Sequence, residues 1–379
     1  MKRNLYILYA ISLLQGMVFY APVATLYRQA AGVGIFQITL IESISLAMMI
    51  GLEIPWGYVA DRIGYKRTMV FCCGLFFLSK IVFWRAEGFA GFLLERIMLS
   101  VVCSGLSGVD SSMLYLSCKQ EEAHRVFGIY QSLGELGIVL AAGVYALWIG
   151  ANYRLAGFLT VISYGLAAVL ALGLKEVKSR DREAKSGLRD MLDVLKGQIK
   201  NRKVLLLILA VALVNETHQS ITVFLSQLQY LRAGMSHEML SIAYILVSIT
   251  GLIGGFSAKL CGKTGVKAMG SGLILLSVVC CLALGFTAVP VITVMAVVGL
   301  RGCFSLLQPM FSDLENRLVT TKDRATALSM NAVLRDGLGI GLNLVFGAAA
   351  EISLPGAIVL GGVVCLGSLL CFRGSKCFA

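Results

Sequence analysis

The chain has 379 residues, 58% hydrophobic and only 14% charged, with a formal net charge of +12. Soluble domains carry about 25% charged residues, so too few polar side chains remain to coat a water-facing surface. That excludes a soluble enzyme, a nucleic-acid binder and a disordered chain, and with a mean hydropathy of +0.82 it defines a polytopic membrane protein.

Apolar runs predict twelve helical spans at 4–27, 35–59, 69–84, 89–117, 126–149, 154–174, 204–230, 238–258, 268–286, 289–312, 325–349 and 354–372. The first run follows Met1-Lys2-Arg3-Asn4. It is longer than a secretory signal core and lacks a small-residue cleavage pattern, which predicts an uncleaved first helix. Counted from an inner N-terminus, the outer loops hold only Arg28, Arg85, Arg154 and Arg232, while the inner segments hold most of the Lys and Arg. Short basic loops stay cytoplasmic, so a multi-pass protein of the cell (inner) membrane with both termini cytoplasmic is expected, and the basic excess reads as a topology signal. The eleven cysteines fall in spans or inner segments, where disulfides do not persist. The pairs Cys72-Cys73 and Cys280-Cys281 lack metal-ligand spacing.

Composition changes abruptly between Leu174 and Val204. Residues 1–174 form one six-helix half, 175–203 a charged cytoplasmic linker, and 204–379 the second half. Within the linker Leu188, Met191, Leu192, Leu195 and Ile199 share a helical face, which predicts an amphipathic helix on the inner leaflet. The two halves read as a repeat. Gly57 and Gly64 recur as Gly255 and Gly262 at an offset of 198 residues, and Arg125 recurs as Arg324 at 199.

The stretch Gly57-Tyr58-Val59-Ala60-Asp61-Arg62-Ile63-Gly64-Tyr65-Lys66-Arg67, with its lead-in Glu53-Ile54-Pro55-Trp56, resembles the signature loop G-x-x-x-D-R-x-G-R-K of the major facilitator superfamily. The resemblance implies an all-α membrane protein with twelve transmembrane helices in two pseudo-symmetric six-helix bundles. It also implies a secondary transporter working by alternating access. Gly57 permits close packing and Gly64 a tight turn. Asp61 suits the positive N-terminal end of a neighbouring helix, worth ~0.3–2 kcal/mol. In the family that neighbour is helix 11, so Gly57, Asp61, Arg62, Gly64 and Lys66 are expected to form a cytoplasmic latch. The family's second basic position is Tyr65 here, leaving Asp110 to pair with Lys66. Arg96 is similar to the family's helix 4 arginine. Gly134-Glu135-Leu136-Gly137 matches half of the helix 5 motif of proton-driven exporters, without its proline.

Ionisable groups deep in a membrane cost ~2.5–3.5 kcal/mol each on insertion scales. Nine stand out: Glu42, Glu53, Asp110, Glu135, Glu216, Asp336, Arg96, Arg301 and Arg335. All fall on helices that the resemblance assigns to the cavity wall (1, 4, 7, 10) or its flanks (2, 5, 8, 11). Lys80, on supporting helix 3, is expected to snorkel to the outer surface. Acids outnumber bases, and crowded buried carboxyls hold protons at neutral pH, so Glu135, Glu216, Asp110 and Asp336 are the proton-coupling candidates. Glu53 reads as a structural acid, Glu42 as one reaching headgroup water, and Asp336 as either a proton site or a static partner of Arg335.

Helix 7 carries the densest polar run. Glu216, Gln219 and Gln227 share a face there, and His218 either titrates or bonds a neighbouring helix. Gln15, Tyr20, Arg96, His218, Gln219, Arg301, Gln308, Asn331 and Arg335 are the substrate-binding candidates. Pro22 and Pro309 are candidate kinks. No catalytic residue, metal site or cofactor is expected. The expected partners are the lipid bilayer, a small organic substrate and protons, with no nucleic acid, and the chain is expected to act as a monomer. Efflux by proton antiport is the leading reading. Proton-coupled uptake of a sugar, amino acid or organic anion, and a non-transporting receptor, are the alternatives.

Overall fold

A computed structural model describes residues 2–119, 122–177, 195–318 and 324–377. Among them twelve helices are long and apolar enough to cross a membrane: α1 Arg3–Ala30, α2 Ile35–Leu52, α3 Tyr65–Arg85, α4 Gly88–Ser117, α5 Arg125–Ile149, α6 Tyr153–Leu172, α7 Arg202–Arg232, α8 His237–Thr264, α9 Val266–Phe286, α10 Pro290–Leu318, α11 Ala327–Ile352 and α12 Leu354–Ser375. Leu147, Trp148, Phe286, Ile352 and Leu370 are each more than 70% exposed, which water would penalise and acyl chains accommodate.

The repeat is visible in the packing. In the first half α3 packs on α4 and α6, and α1 on α5 and α6. In the second half α9 packs on α10 and α12, and α7 on α11 and α12. Each half therefore has its own core, one around Leu8, Ile11, Met69, Met113 and Ala167, the other around Leu207, Ile274, Leu307, Phe311 and Phe372. By compactness the chain divides into one unit of 1–37, 44–183 and 237–245 and another of 38–43, 184–236 and 246–379.

The signature stretch is mostly helix, since the helix containing α2 runs on to Ile63. Gly64 alone makes the turn, with φ +95°, and opens α3. Its counterpart in the repeat is Gly265, with φ +82°, which opens α9. This corrects the pairing of Gly64 with Gly262, which lies inside the helix Ser257–Thr264. A left-handed turn needs glycine, so the turn fixes the register and the offset becomes 201 residues. Of the linker helix, Leu188, Met191 and Leu192 lie outside the described residues. Residues 195–200 are helical, with Ile199 exposed and Gln198 buried.

Several spans are not regular. α1 stops at Gly16, turns through Tyr20 and resumes as a 3-10 turn Ala21–Val23, with Pro22 in its first turn, and then the helix Ala24–Ala30. α4 breaks at Gly108, which is left-handed. α7 winds as a π-helix over Gln219–Leu225, a geometry found mostly at functional sites. Pro309 sits inside a continuous helix, Pro290–Leu318.

Glycines in α5 have a packing role. An added Cβ at Gly137 would collide with the carbonyl oxygen of Leu13, and one at Gly16 with that of Gly134. The half-motif around Glu135 is thus a close crossing of α5 on α1. Gly137→Ala is expected to lower stability by about 1–3 kcal/mol, read as a drop in the melting temperature of purified protein.

Candidate transport site

In the second half Glu216 is 4% exposed. Its Oε1 accepts a hydrogen bond from Asn215 Nδ2 (3.1 Å), while its Oε2 is buried with no hydrogen-bond partner among the described residues. The carboxyl lies against α11 at Gly339, where a Cβ would come within 2.7 Å of Oε1. Asp336 and Glu42 lie within electrostatic range of Glu216. Glu42 is only 5% exposed, so it is a buried acid and not one that reaches headgroup water. One turn above Glu216, Ser220 Oγ approaches Asn343 Oδ1 at 3.5 Å.

Arg335 has a partner on another helix. Arg335 Nη1 donates to both carboxylate oxygens of Glu315 on α10, at 2.7 and 2.6 Å. Glu315 is 6% exposed. It escaped the sequence reading because the apolar run of α10 ends before it while the helix continues to Leu318. The bond to Glu315 engages one nitrogen of Arg335, a residue expected on the substrate wall.

The remaining second-half candidates are dispersed. His218 is 6% exposed and stacks on Phe304, with ring centroids 4.0 Å apart and planes 9° apart, an arrangement that favours its packing role. Gln219 opens the π-helical stretch of α7 and is half-buried. Arg301 lies over Gly251 of α8, where a Cβ would approach its Nη2 to 2.6 Å. Asn331 is 1% exposed, and its Oδ1 has no partner among the described residues. Gln308 is exposed.

In the first half Glu135 is half-buried on α5. Gln15 Nε2 reaches Cys73 Sγ at 3.6 Å, and Arg96 is half-buried, its carbonyl accepting from Ser100 Oγ at 2.9 Å. Asp110 is taken up locally. Its Oδ1 accepts from the backbone N–H (2.6 Å) and the hydroxyl (3.3 Å) of Ser111, in the first turn after the α4 break. At the start of α3 the backbone N–H of Lys66 donates to Glu176 Oε1 at 3.2 Å, so Glu176 supplies a carboxylate to that helix N-terminus. The side chains at Glu53, Asp61 and Arg62, and the surroundings of Gly57, lie outside the described set.

The largest departure concerns Lys80. It does not snorkel: its side chain is 6% exposed, and its Nζ donates to Glu95 Oε1 (3.1 Å) and to the Tyr20 hydroxyl (3.0 Å). Glu95 is 1% exposed. Tyr20 is closed into the same cluster and stacks on Phe83 at 4.0 Å, so it is no open wall residue. A cation in a low-dielectric interior costs far less with a carboxylate at hydrogen-bond distance, so the pair explains how Lys80 is tolerated there.

Twelve spans in two repeated six-helix halves, with charged and polar side chains buried within them, define a multi-pass membrane protein. The family model of the Major Facilitator Superfamily matches residues 5–343, and the chain belongs to that superfamily. A curated relative, an uncharacterized MFS-type transporter of Methanocaldococcus jannaschii, is 25% identical over 173 residues, which is 43% of this chain and 44% of that protein, so the match spans less than half of the relative's length. Among solved structures, the nucleoside transporter NupG aligns with a TM-score of 0.82 at 16% identity, covering 99% of both chains. A bacterial homologue of the human lysosomal transporter Spinster, in an inward-facing and unoccupied conformation, aligns with a TM-score of 0.72 at 16% identity, covering 99% of this chain and 98% of that one. At such identities the likeness is one of fold.

Proposed function

We propose that the protein exports a small organic molecule across the cell (inner) membrane by alternating access in exchange for protons, with both termini cytoplasmic and the chain acting as a monomer of two halves, 1–174 and 204–379. The observation that carries the reading is Glu216. A carboxyl buried in a span, with one oxygen unpartnered and two further acids nearby, is a costly group to leave without a role, and carrying a proton is one that suits it. If water reaches it in one conformation only, it loads and releases that proton in step with the conformational change. Glu135, half-buried on a helix pressed against α1, is the second candidate, and Asp336 and Asp110 follow. Gln15, Gln219, Arg96, Arg301 and Asn331 are the polar groups offered to substrate, and an arginine among them suits a carboxylate or phosphate if the substrate is an anion.

Gly57, Asp61, Arg62, Gly64 and Lys66 are proposed as the cytoplasmic latch. Asp61→Asn is expected to remove a helix-terminus attraction of ~0.3–2 kcal/mol and so shift the resting equilibrium toward the inward-open state by about 2- to 30-fold. Maleimide labelling of a cysteine introduced near the cytoplasmic end of α11 reads that shift. Unchanged labelling would count against the latch.

The transport reading is tested in proteoliposomes with ethidium, uridine and alanine as probes. Accumulation driven by an acid interior marks antiport, and accumulation driven by an acid exterior marks symport. A receptor would carry none of them under either gradient.

A further inference from the structure

The break in α1 is built, not frayed. Where the chain turns, the last carbonyls of the segment Lys2–Gly16 leave the regular helical pattern: Leu14 accepts from the Met17 N–H at 3.1 Å and Gly16 from the Val18 N–H at 2.8 Å. Side chains from one face of α6 add to these bonds: Ser163 Oγ donates to the Leu14 carbonyl (2.6 Å) and the Tyr164 hydroxyl to the Gln15 carbonyl (2.6 Å). Past the break the Phe19 N–H donates to Thr160 Oγ1 at 3.0 Å. Residues 160, 163 and 164 lie on one side of a helix. Interrupted backbone at membrane depth survives only where protein satisfies it in this way. At 1.5 Å per residue the joint lies ~20–25 Å along α1, past the bilayer midplane.

Tyr20 ends this joint, and the buried pair holds it. Lys80 Nζ is bonded to the Tyr20 hydroxyl and to Glu95, and it sits 5.2–5.8 Å from the ring centroids of Phe76, Tyr164 and Tyr20. Tyr164 therefore serves both halves of the arrangement, receiving the cation on its face and capping Gln15 with its hydroxyl. Simple charge compensation of Lys80 would need Glu95 alone, and the extra bond to Tyr20 ties the pair to the α1 joint.

We propose that Tyr20, clamped by the Lys80–Glu95 pair, is a positioning residue that fixes the angle between the two pieces of α1 and thereby the placement of Gln15 during transport. The clamp is a local claim about α1, while its consequence for transport rests on the reading of the chain as a carrier.

The experiment separates the two. Hydrogen–deuterium exchange on full-length protein in nanodiscs follows the amides of residues 17–23 in wild type, Tyr20→Phe and the double variant Lys80→Met/Glu95→Gln. Tyr20→Phe keeps the ring on Phe83 and removes only the hydroxyl. Exchange across 17–23 is expected to rise about tenfold, matching the loss of one hydrogen bond to a charged group, with residues 4–12 unchanged. Unaltered exchange in both variants would overturn the clamp, whatever the protein transports. With whichever of ethidium, uridine and alanine the wild type carries, Tyr20→Phe should raise KM about tenfold at constant protein level and melting temperature. A loosened joint with wild-type KM and maximal rate would overturn the positioning role. If the wild type carries none of the three, the carrier reading fails while the exchange result still decides the clamp.

Discussion

Glu216→Gln is expected to abolish proton-driven transport while leaving the protein assembled at wild-type levels. The glutamine keeps the shape of the carboxyl and one acceptor for Asn215, and it fits beside Gly339 as the acid does. It cannot exchange a proton. Because Oε2 has no partner to lose, the substitution removes a desolvated acid at little structural cost, so folding and transport should separate cleanly. Glu135→Gln is expected to show the same loss with the same intact assembly. Gradient-driven flux at wild-type rate in both variants, measured in proteoliposomes, would remove the assigned role.

The second large effect is expected at Lys80. Lys80→Met leaves Glu95 buried and uncompensated at 1% exposure, a change that costs about 3–5 kcal/mol for a buried pair. Glu95→Gln strands the cation instead and should cost a similar amount. The double variant Lys80→Met/Glu95→Gln removes both charges and is expected to recover most of the melting temperature, because two neutral groups need no mutual compensation. A Lys80→Met protein as stable as wild type would mean that the pair contributes nothing to the fold. Full additivity in the double variant would mean that the two groups act independently.

Much of the architecture was legible in the chain. Twelve apolar runs bounded by short basic segments are dictated by bilayer thickness and by the cost of moving Lys and Arg across it. Pro22 marked the α1 interruption, and Gly64 marked a turn that only glycine makes without strain. The polar groups were harder to pair, because a bond between two helices leaves little trace in sequence. Lys80 and Glu95 carried a faint signal: they stand six or seven residues either side of the turn Ala86–Gly88, hence at one depth on adjacent antiparallel helices. Arg96, next in sequence to Glu95, drew the attention its neighbour warranted. For Arg335 adjacency offered Asp336 as one possible partner, yet consecutive helical residues point about 100° apart, and the helix beyond the apolar part of α10 brought Glu315 to it. No composition signal announces the π-helical stretch of α7.

The central claim, that this chain couples solute movement to protons through buried carboxyls, is tested most directly by accumulation in proteoliposomes under an imposed pH gradient. An acid interior is predicted to drive ethidium, uridine or alanine inward, with the accumulation collapsing on addition of a protonophore and absent in Glu216→Gln. Uptake of all three that stays at the protein-free level under either gradient, or that persists unchanged with the protonophore, would contradict it.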